Sequence, residues 1–263
     1  MRTPPSFFFL RNPDSEPGPG VYFFNLALTT AAVSLLGVWL LRQSGLQWDW
    51  EAVAAYWRLF AAGWATTLGV SLAALAVSTV IGCGVALAQR SVFLPLRTLA
   101  EAYVELVRGT PLLAQIYILF YIVAEAVHLE NRMVAGILTL SIFSGAYLAE
   151  VFRAGINSIG RSQLESAMAI GLTRAQTYRF VVLPQAVRVV LPSMTGQCVS
   201  LIKDSSLLSI IGLNELTQSA RNVASYTFSN LESYVLLAMG YLLLTLPISL
   251  WTRRLEKRFR YET

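Results

Sequence analysis

Long uncharged apolar runs recur along the chain. Val21 to Leu41, Gly63 to Gln89 and Ser233 to Thr252 carry no acidic or basic side chain, and about 20 apolar residues suffice for a helix to cross a bilayer. Three further apolar stretches are shorter or interrupted: Gly109 to Ala124, Met133 to Ala149, and about Val187 to Leu213, which contains Lys203 and Asp204. The pattern predicts an all-α membrane protein with about six transmembrane helices joined by short loops, and no internal repeat divides it. Between the first two runs, Trp48, Trp50, Tyr56, Trp57 and Phe60 alternate with Asp49, Glu51 and Arg58. That mixture suits an interfacial segment over 42–62, where aromatic rings sit at headgroup level.

Composition supports this reading and excludes a soluble enzyme. Of 263 residues, 55% are apolar and only 13% charged, where soluble domains carry roughly 25% charged residues. Basic residues are distributed unequally over the loops. With the carboxyl terminus inside, 14 arginines and lysines fall on inner segments against 4 on outer ones, and Arg108 and Lys203 lie near or within spans. The bias predicts both termini on the cytoplasmic side of the membrane. It also accounts for the net charge of +5, so no nucleic-acid partner is needed. Residues 1–20 are rich in proline and glycine and lack the features of a cleavable leader, which predicts a cytoplasmic N-terminal segment and an uncleaved first span over 21–41. Cys83 and Cys198 lie in apolar stretches and read as core residues, and His128 is a lone histidine in a short connection. No metal site is expected.

The longest inner connection, 157–186, has local chemistry of its own. Ser162 to Glu165 fits a capping box, and Thr173 to Gln176 repeats the pattern eleven residues later. Between them Gly171 suits the left-handed residue that ends a helix, and Leu183-Pro184 suits a stop for the second helix. Leu164, Ala167, Met168, Ile170 and Leu172 make this element partly apolar, which calls for a partner protein to bury it.

Glu165-Ser166-Ala167, Gly171, nine residues and then Val181-Val182-Leu183-Pro184 resemble the EAA motif of bacterial ABC importer permeases. Ser166 replaces the second alanine and Val181 the isoleucine of that pattern. Glu105 to Leu113, Ser144 to Arg153, Ser200 to Leu208 and Ile211 to Thr217 are similar to the polar amino-acid subfamily, which includes histidine, glutamine, arginine and glutamate permeases. The resemblance covers about 63–258 and leaves the first span outside it, with 259–263 as a cytoplasmic tail. It implies a type I ABC importer permease fold with a cytoplasmic coupling helix at about Gln163 to Leu172. It also implies that Glu165, Ser166, Ala167, Gly171, Leu183 and Pro184 couple to the ATPases, two subunits of which would bind ATP and Mg. Further implied partners are a second permease copy or homologue, an external amino-acid-binding protein, and membrane lipid. Glu165 has an equally weighted structural alternative as a capping residue.

The chain has no Gly-rich run followed by Lys-Ser or Lys-Thr, so ATP chemistry is expected on another polypeptide and no cofactor on this one. Ionisable residues inside a membrane face a cavity or each other. Lys203, Asp204 and Ser205 are therefore candidates for the substrate pathway or for a helix interruption. Glu150 is a candidate for substrate contact or for a helical pair with Arg153. Arg108-Gly109-Thr110-Pro111 combines a helix terminator, a threonine cap and a proline at a first helical position, so Arg108 and Thr110 mark a break between an amphipathic helix and the next span. These residues leave two transport readings: a binding-protein-dependent importer of polar amino acids working by alternating access, and an ion-gradient-driven secondary carrier. A scaffold or sensor without flux is the third class.

Overall fold

The computed structural model describes residues 18–43 and 48–259, and these contain helices and no strands. Two units are distinguished, up to Trp48 and from Asp49 onward. The first is helix α1 (Pro19–Gln43), an apolar helix long enough to span a membrane. Its threonines bond back into the helix: Thr29 and Thr30 donate from Oγ1 to backbone carbonyls one turn earlier, which removes the cost of a bare hydroxyl in hydrocarbon. The expected cytoplasmic segment 1–20 and tail 259–263 fall almost wholly outside the described residues.

The second unit begins with a short helix, α2 (Trp50–Ala54), capped by Asp49, whose carboxylate accepts from the Ala52 amide at 2.9 Å. Next come α3 (Trp57–Ala88), α4 (Leu94–Gly109) and α5 (Leu112–Ile118), which runs into a π-turn at Leu119–Ala124. The chain then forms α6 (Arg132–Asn157), α7 (Arg161–Ala169) and α8 (Arg174–Thr177). A second π-turn (Tyr178–Val182) joins α8 to α9 (Leu183–Asp204), and a 3₁₀ turn (Ser205–Ile211), α10 (Leu216–Thr227) and α11 (Asn230–Phe259) complete the fold. α3 starts six residues before the uncharged run does, because Trp57 to Ala62 continue the helix out of the expected interfacial segment.

The bundle centres on α3 against α6. One face of α3 carries Gly63, Thr67, Ser71, Ala74, Ser78, Gly82 and Ala86, all buried and spaced at helical intervals. Such a stripe lets backbones approach closely where lipid offers no hydrophobic drive for association. At Gly82 an added Cβ would stand 2.8 Å from Leu148 Cβ and 3.0 Å from the Gly145 carbonyl. Ser141 on α6 donates to Ile137 O at 2.6 Å, and Tyr103 on α4 donates to Ile142 O at 2.6 Å. A core of Val70, Leu112, Ile116, Leu140, Leu201 and Leu208 lies between α3, α5, α6 and α9.

Among the described residues four helices are long and apolar enough to span, namely α1, α3, α6 and α11. The bent pair α4 and α5 makes a fifth if counted together. α9 spans 22 residues yet holds Arg188, Pro192, Lys203 and Asp204, so hydropathy alone does not select it. It nevertheless packs against α3, α6 and α11. Cys83 is exposed on α3 and Cys198 is half-buried, so neither is the core residue expected from its apolar surroundings. A helix solvated by lipid is apolar on its outer face too, so hydropathy does not reveal the inward side.

Candidate functional site

The segment between α6 and α9 folds as a hairpin. α7 begins at Arg161 with Gly160 as its N-cap and no side-chain cap. Ser162 therefore stands inside the helix, and the expected capping box with Glu165 does not form. Glu165 and Ser166 are exposed and Ala167 is buried. The helix closes in a Schellman motif: Leu172 N donates to Ala167 O at 3.1 Å and Gly171 N to Met168 O at 3.0 Å, with Gly171 at φ +81°. The second predicted box is present, with Thr173 capping Gln176 N and the Gln176 side chain returning to Thr173 N at 2.9 Å. Met168 and Ile170 stay 62% and 77% exposed. A hairpin fixed on both sides of its one turn thus presents apolar side chains outward.

Leu183-Pro184 does not end a helix. The chain runs helically from Arg174 to Asp204, and Pro184 lies in the first turn of α9. The π-turn just before it widens the helix and displaces the carbonyl that a proline cannot bond and would strike. Leu183 and Pro184 are exposed on that junction.

A polar cleft of about 660 Å³ opens where the end of α3, α4 and the end of α6 meet. Glu150 is its centre. Arg153 donates to both its oxygens at 2.8 and 2.7 Å, and Arg108 reaches Oε2 at 3.1 Å while lying 5.4 Å from the Tyr147 ring centroid. The predicted helical pair of Glu150 with Arg153 is present, and Arg108 joins it from another helix. Arg97 pairs with Glu101 at 2.8 Å on the cleft wall, and Glu105 and Asn157 also line it. Gln89 Oε1 is buried there with no partner among the described residues.

The break after Arg108 is a bend of 110° between α4 and α5. Thr110 does not cap α5: its hydroxyl donates back to Leu106 O at 2.9 Å, and Pro111 occupies the N-cap position instead of the first turn. The bend is held by Gln115, whose amide donates to Val107 O at 2.7 Å and Thr110 Oγ1 at 2.8 Å. Lys203, Asp204 and Ser205 lie apart from the cleft, at the change from α9 to the 3₁₀ turn. Lys203 is exposed, Asp204 half-buried, and Ser205 fully buried with its hydroxyl on Ile202 O at 2.7 Å. Helix interruption describes this trio. Among the described residues no cluster of His, Cys, Asp and Glu could hold a metal.

Sequence reasoning passed over Glu215. Wholly buried, it caps α10 by accepting from Thr217 N at 2.8 Å and Gln218 N at 2.7 Å, and takes a third bond from Tyr241 at 3.0 Å. Burial pushes its carboxyl above the usual range, against the pull of those donors. The signal was a glutamate followed by an amphipathic run. Gln115 and Arg90 were passed over too, since neither interrupts a pattern.

Residues 78–261 match the family described as the binding-protein-dependent transport system inner membrane component. The chain belongs to that family. It is 37% identical over 196 residues to the probable glutamine ABC transporter permease protein GlnM of Bacillus subtilis (strain 168), covering 74% of this chain and 91% of the other. Identity to the glutamine transport system permease protein GlnP of Escherichia coli (strain K12) is 34% over 217 residues, covering 82% and 99%. Among solved structures, a crystal structure of an amino acid ABC transporter with histidines superposes with a TM-score of 0.76 at 32% identity, over 81% of this chain and 100% of that one. An inward-facing MetNI methionine ABC transporter, at 19% identity and a TM-score of 0.66 over 76% and 96%, shares the fold.

The protein is thus a multi-pass permease subunit of a binding-protein-dependent ABC importer with a type I fold. Nothing in these likenesses supports a gradient-driven carrier. The α7–α8 hairpin of the permease carries the EAA segment, and Glu165 does not take the capping position expected for it there. The matched region begins within α3, so α1 lies outside it.

Proposed function

We propose that the permease imports polar amino acids, glutamine foremost, from an external binding protein, driven by ATP and Mg bound to two separate ATPase subunits. Glutamine is the substrate in the names of the relatives above, and the cleft offers both signs of charge to a zwitterion. The observation that carries the coupling reading is the locked hairpin with exposed Met168 and Ile170, which needs an apolar partner surface. Glu165, Ser166 and Ala167 lie on the helix that docks, Gly171 closes it, and Leu183 and Pro184 start the lever into the bundle. Alternating access follows when closure of the ATPases pushes two such hairpins together, which requires a second permease copy or homologue. Glu150 and Arg108 line the substrate route where the cleft opens inward. Thr110 shapes the helix break beside the cleft, and Lys203, Asp204 and Ser205 stand at a second break, between α9 and the 3₁₀ turn, farther along the pathway. The basic bias supports a cytoplasmic hairpin and cytoplasmic termini, and the family supports a bacterial inner-membrane location.

The test is uptake into proteoliposomes holding this chain, its ATPase and any second permease, with binding protein outside, ATP inside and labelled amino acids. Uptake of glutamine that needs both ATP and binding protein is expected, and Gly171→Asp should lower uptake per ATP hydrolysed. Uptake by this chain alone under an imposed ion gradient would overturn the reading.

A further inference from the structure

Arg90 stands just beyond α3, its amide donating to Leu87 O at 3.1 Å. Its guanidinium bridges two other elements. Nη1 donates to Asn157 Oδ1 at 2.8 Å, and Nη2 donates to the Tyr178 hydroxyl at 3.1 Å. Asn157 is the last residue of α6, and Tyr178 is the first of the π-turn that leads into α9. Three helix ends therefore meet at one planar side chain.

Among the described residues, the bond to Tyr178 is the side-chain hydrogen bond that ties segment 161–182 to the rest of the bundle, and no ion pair reaches that segment. The hairpin is joined through the chain to α6 and α9 only. α3, the longest helix and the main partner of α6, has no such covalent link. The route into α9 also passes through the π-turn, a wider i→i+5 turn inserted in the helix, in which displacement of the hairpin can be absorbed locally. A tie at the first residue of that turn bypasses it.

We propose that Arg90 is a positioning residue for energy coupling: it clamps the ends of α3 and α6 to the start of the π-turn that leads into α9, so that motion of the hairpin reaches α3 and α6 directly as well as α9 through the chain. The inference rests on the coupling role proposed above. Two acceptors on different elements suit the fixed fork of a guanidinium, whereas a lysine ammonium is a point donor on a flexible stem. Arg90→Lys therefore keeps the charge and breaks the fork. Tyr178→Phe removes one exposed hydroxyl and leaves the fold intact.

The experiment measures ATP hydrolysed per glutamine taken up, in proteoliposomes of the full complex, for wild type, Arg90→Lys, Arg90→Gln, Tyr178→Phe and the double variant Arg90→Gln/Tyr178→Phe. Each single variant should raise the ratio several-fold while hydrolysis continues, and the double variant should be no worse than Arg90→Gln. A role confined to stability would lower hydrolysis and uptake in proportion and leave the ratio at the wild-type value, which would overturn the clamp. Full rescue by lysine would also overturn it, since charge alone would then suffice. Failure of the wild-type complex to couple uptake to ATP would sink the importer reading itself, a result separate from a wild-type complex that couples and variants that match it.

Discussion

Two guanidiniums converge on Glu150 inside a cleft, so Glu150→Gln leaves Arg108 and Arg153 without their shared counter-charge. Both arginines are about two-fifths exposed, and water screens part of the loss. The expected cost is about 1–2 kcal/mol, read as a lower thermal midpoint of the purified permease. At Gly171 the backbone conformation alone decides, because an added Cβ would meet nothing within 4 Å at φ +81°. Gly171→Val should cost about 1–2 kcal/mol and Gly171→Asn markedly less, since asparagine tolerates the left-handed region; hydrogen exchange in 165–175 separates the two. Glu215 lies outside the candidate spans and titrates above the usual carboxyl range. Its raised value means the folded state holds the proton longer, so its contribution is complete at low pH and fades as pH rises through the folded value. Relative to Glu215→Gln, the wild-type thermal midpoint should fall as pH climbs from about 4.5 through the raised folded value, and an unchanging gap would refute the assignment. Of these residues, Gly171 and the Glu150–Arg153 pair were legible from local spacing. Arg108 on Glu150 was not, because a contact between helices leaves no mark in either one's sequence.

α7 and α8 show how far local rules reach at the level of the element. Thr173 and Gln176 form the expected box, and Thr173→Ala should cost about 0.5–2 kcal/mol of local stability, seen as faster amide exchange over 173–178. Ser162 and Glu165 fit the same pattern and do not form it, because α7 starts two residues earlier, at Arg161 with Gly160 as N-cap instead of at Gln163 after Ser162. Proline punctuation failed in a similar way. Pro184 reads as a stop, yet the preceding π-turn carries the helix through it. A local pattern limits the permitted helix starts, and packing of the neighbouring elements selects among them. The capping test has a clear negative: unchanged exchange in Thr173→Ala would mean that the hairpin is held by its contacts and not by its cap.

Across the whole molecule, stability rests on close approach of α3 and α6. Gly82→Val should be severely destabilising, beyond the about 1–3 kcal/mol usual for overpacking, because a Cβ there strikes Leu148 and backbone atoms of α6. Gly69→Ala on the same helix meets nothing within 4 Å and should be neutral or slightly stabilising. Comparing yields and thermal midpoints of the two variants tests whether this contact, and not helix propensity, governs assembly. The small-residue stripe from Gly63 to Ala86 was present in the sequence as a four-residue rhythm, but hydropathy hides it, since a membrane helix is apolar on every side. Membrane class, approximate spans, charge bias and the EAA hairpin could all be read before any coordinates, because each depends on composition or on neighbours a few residues apart. The partners of Glu150, the burial of Glu215, the bend held by Gln115 and the Arg90 node needed the folded chain. They join residues from 8 to 88 positions apart, and at such separations it is helix packing that brings the groups together.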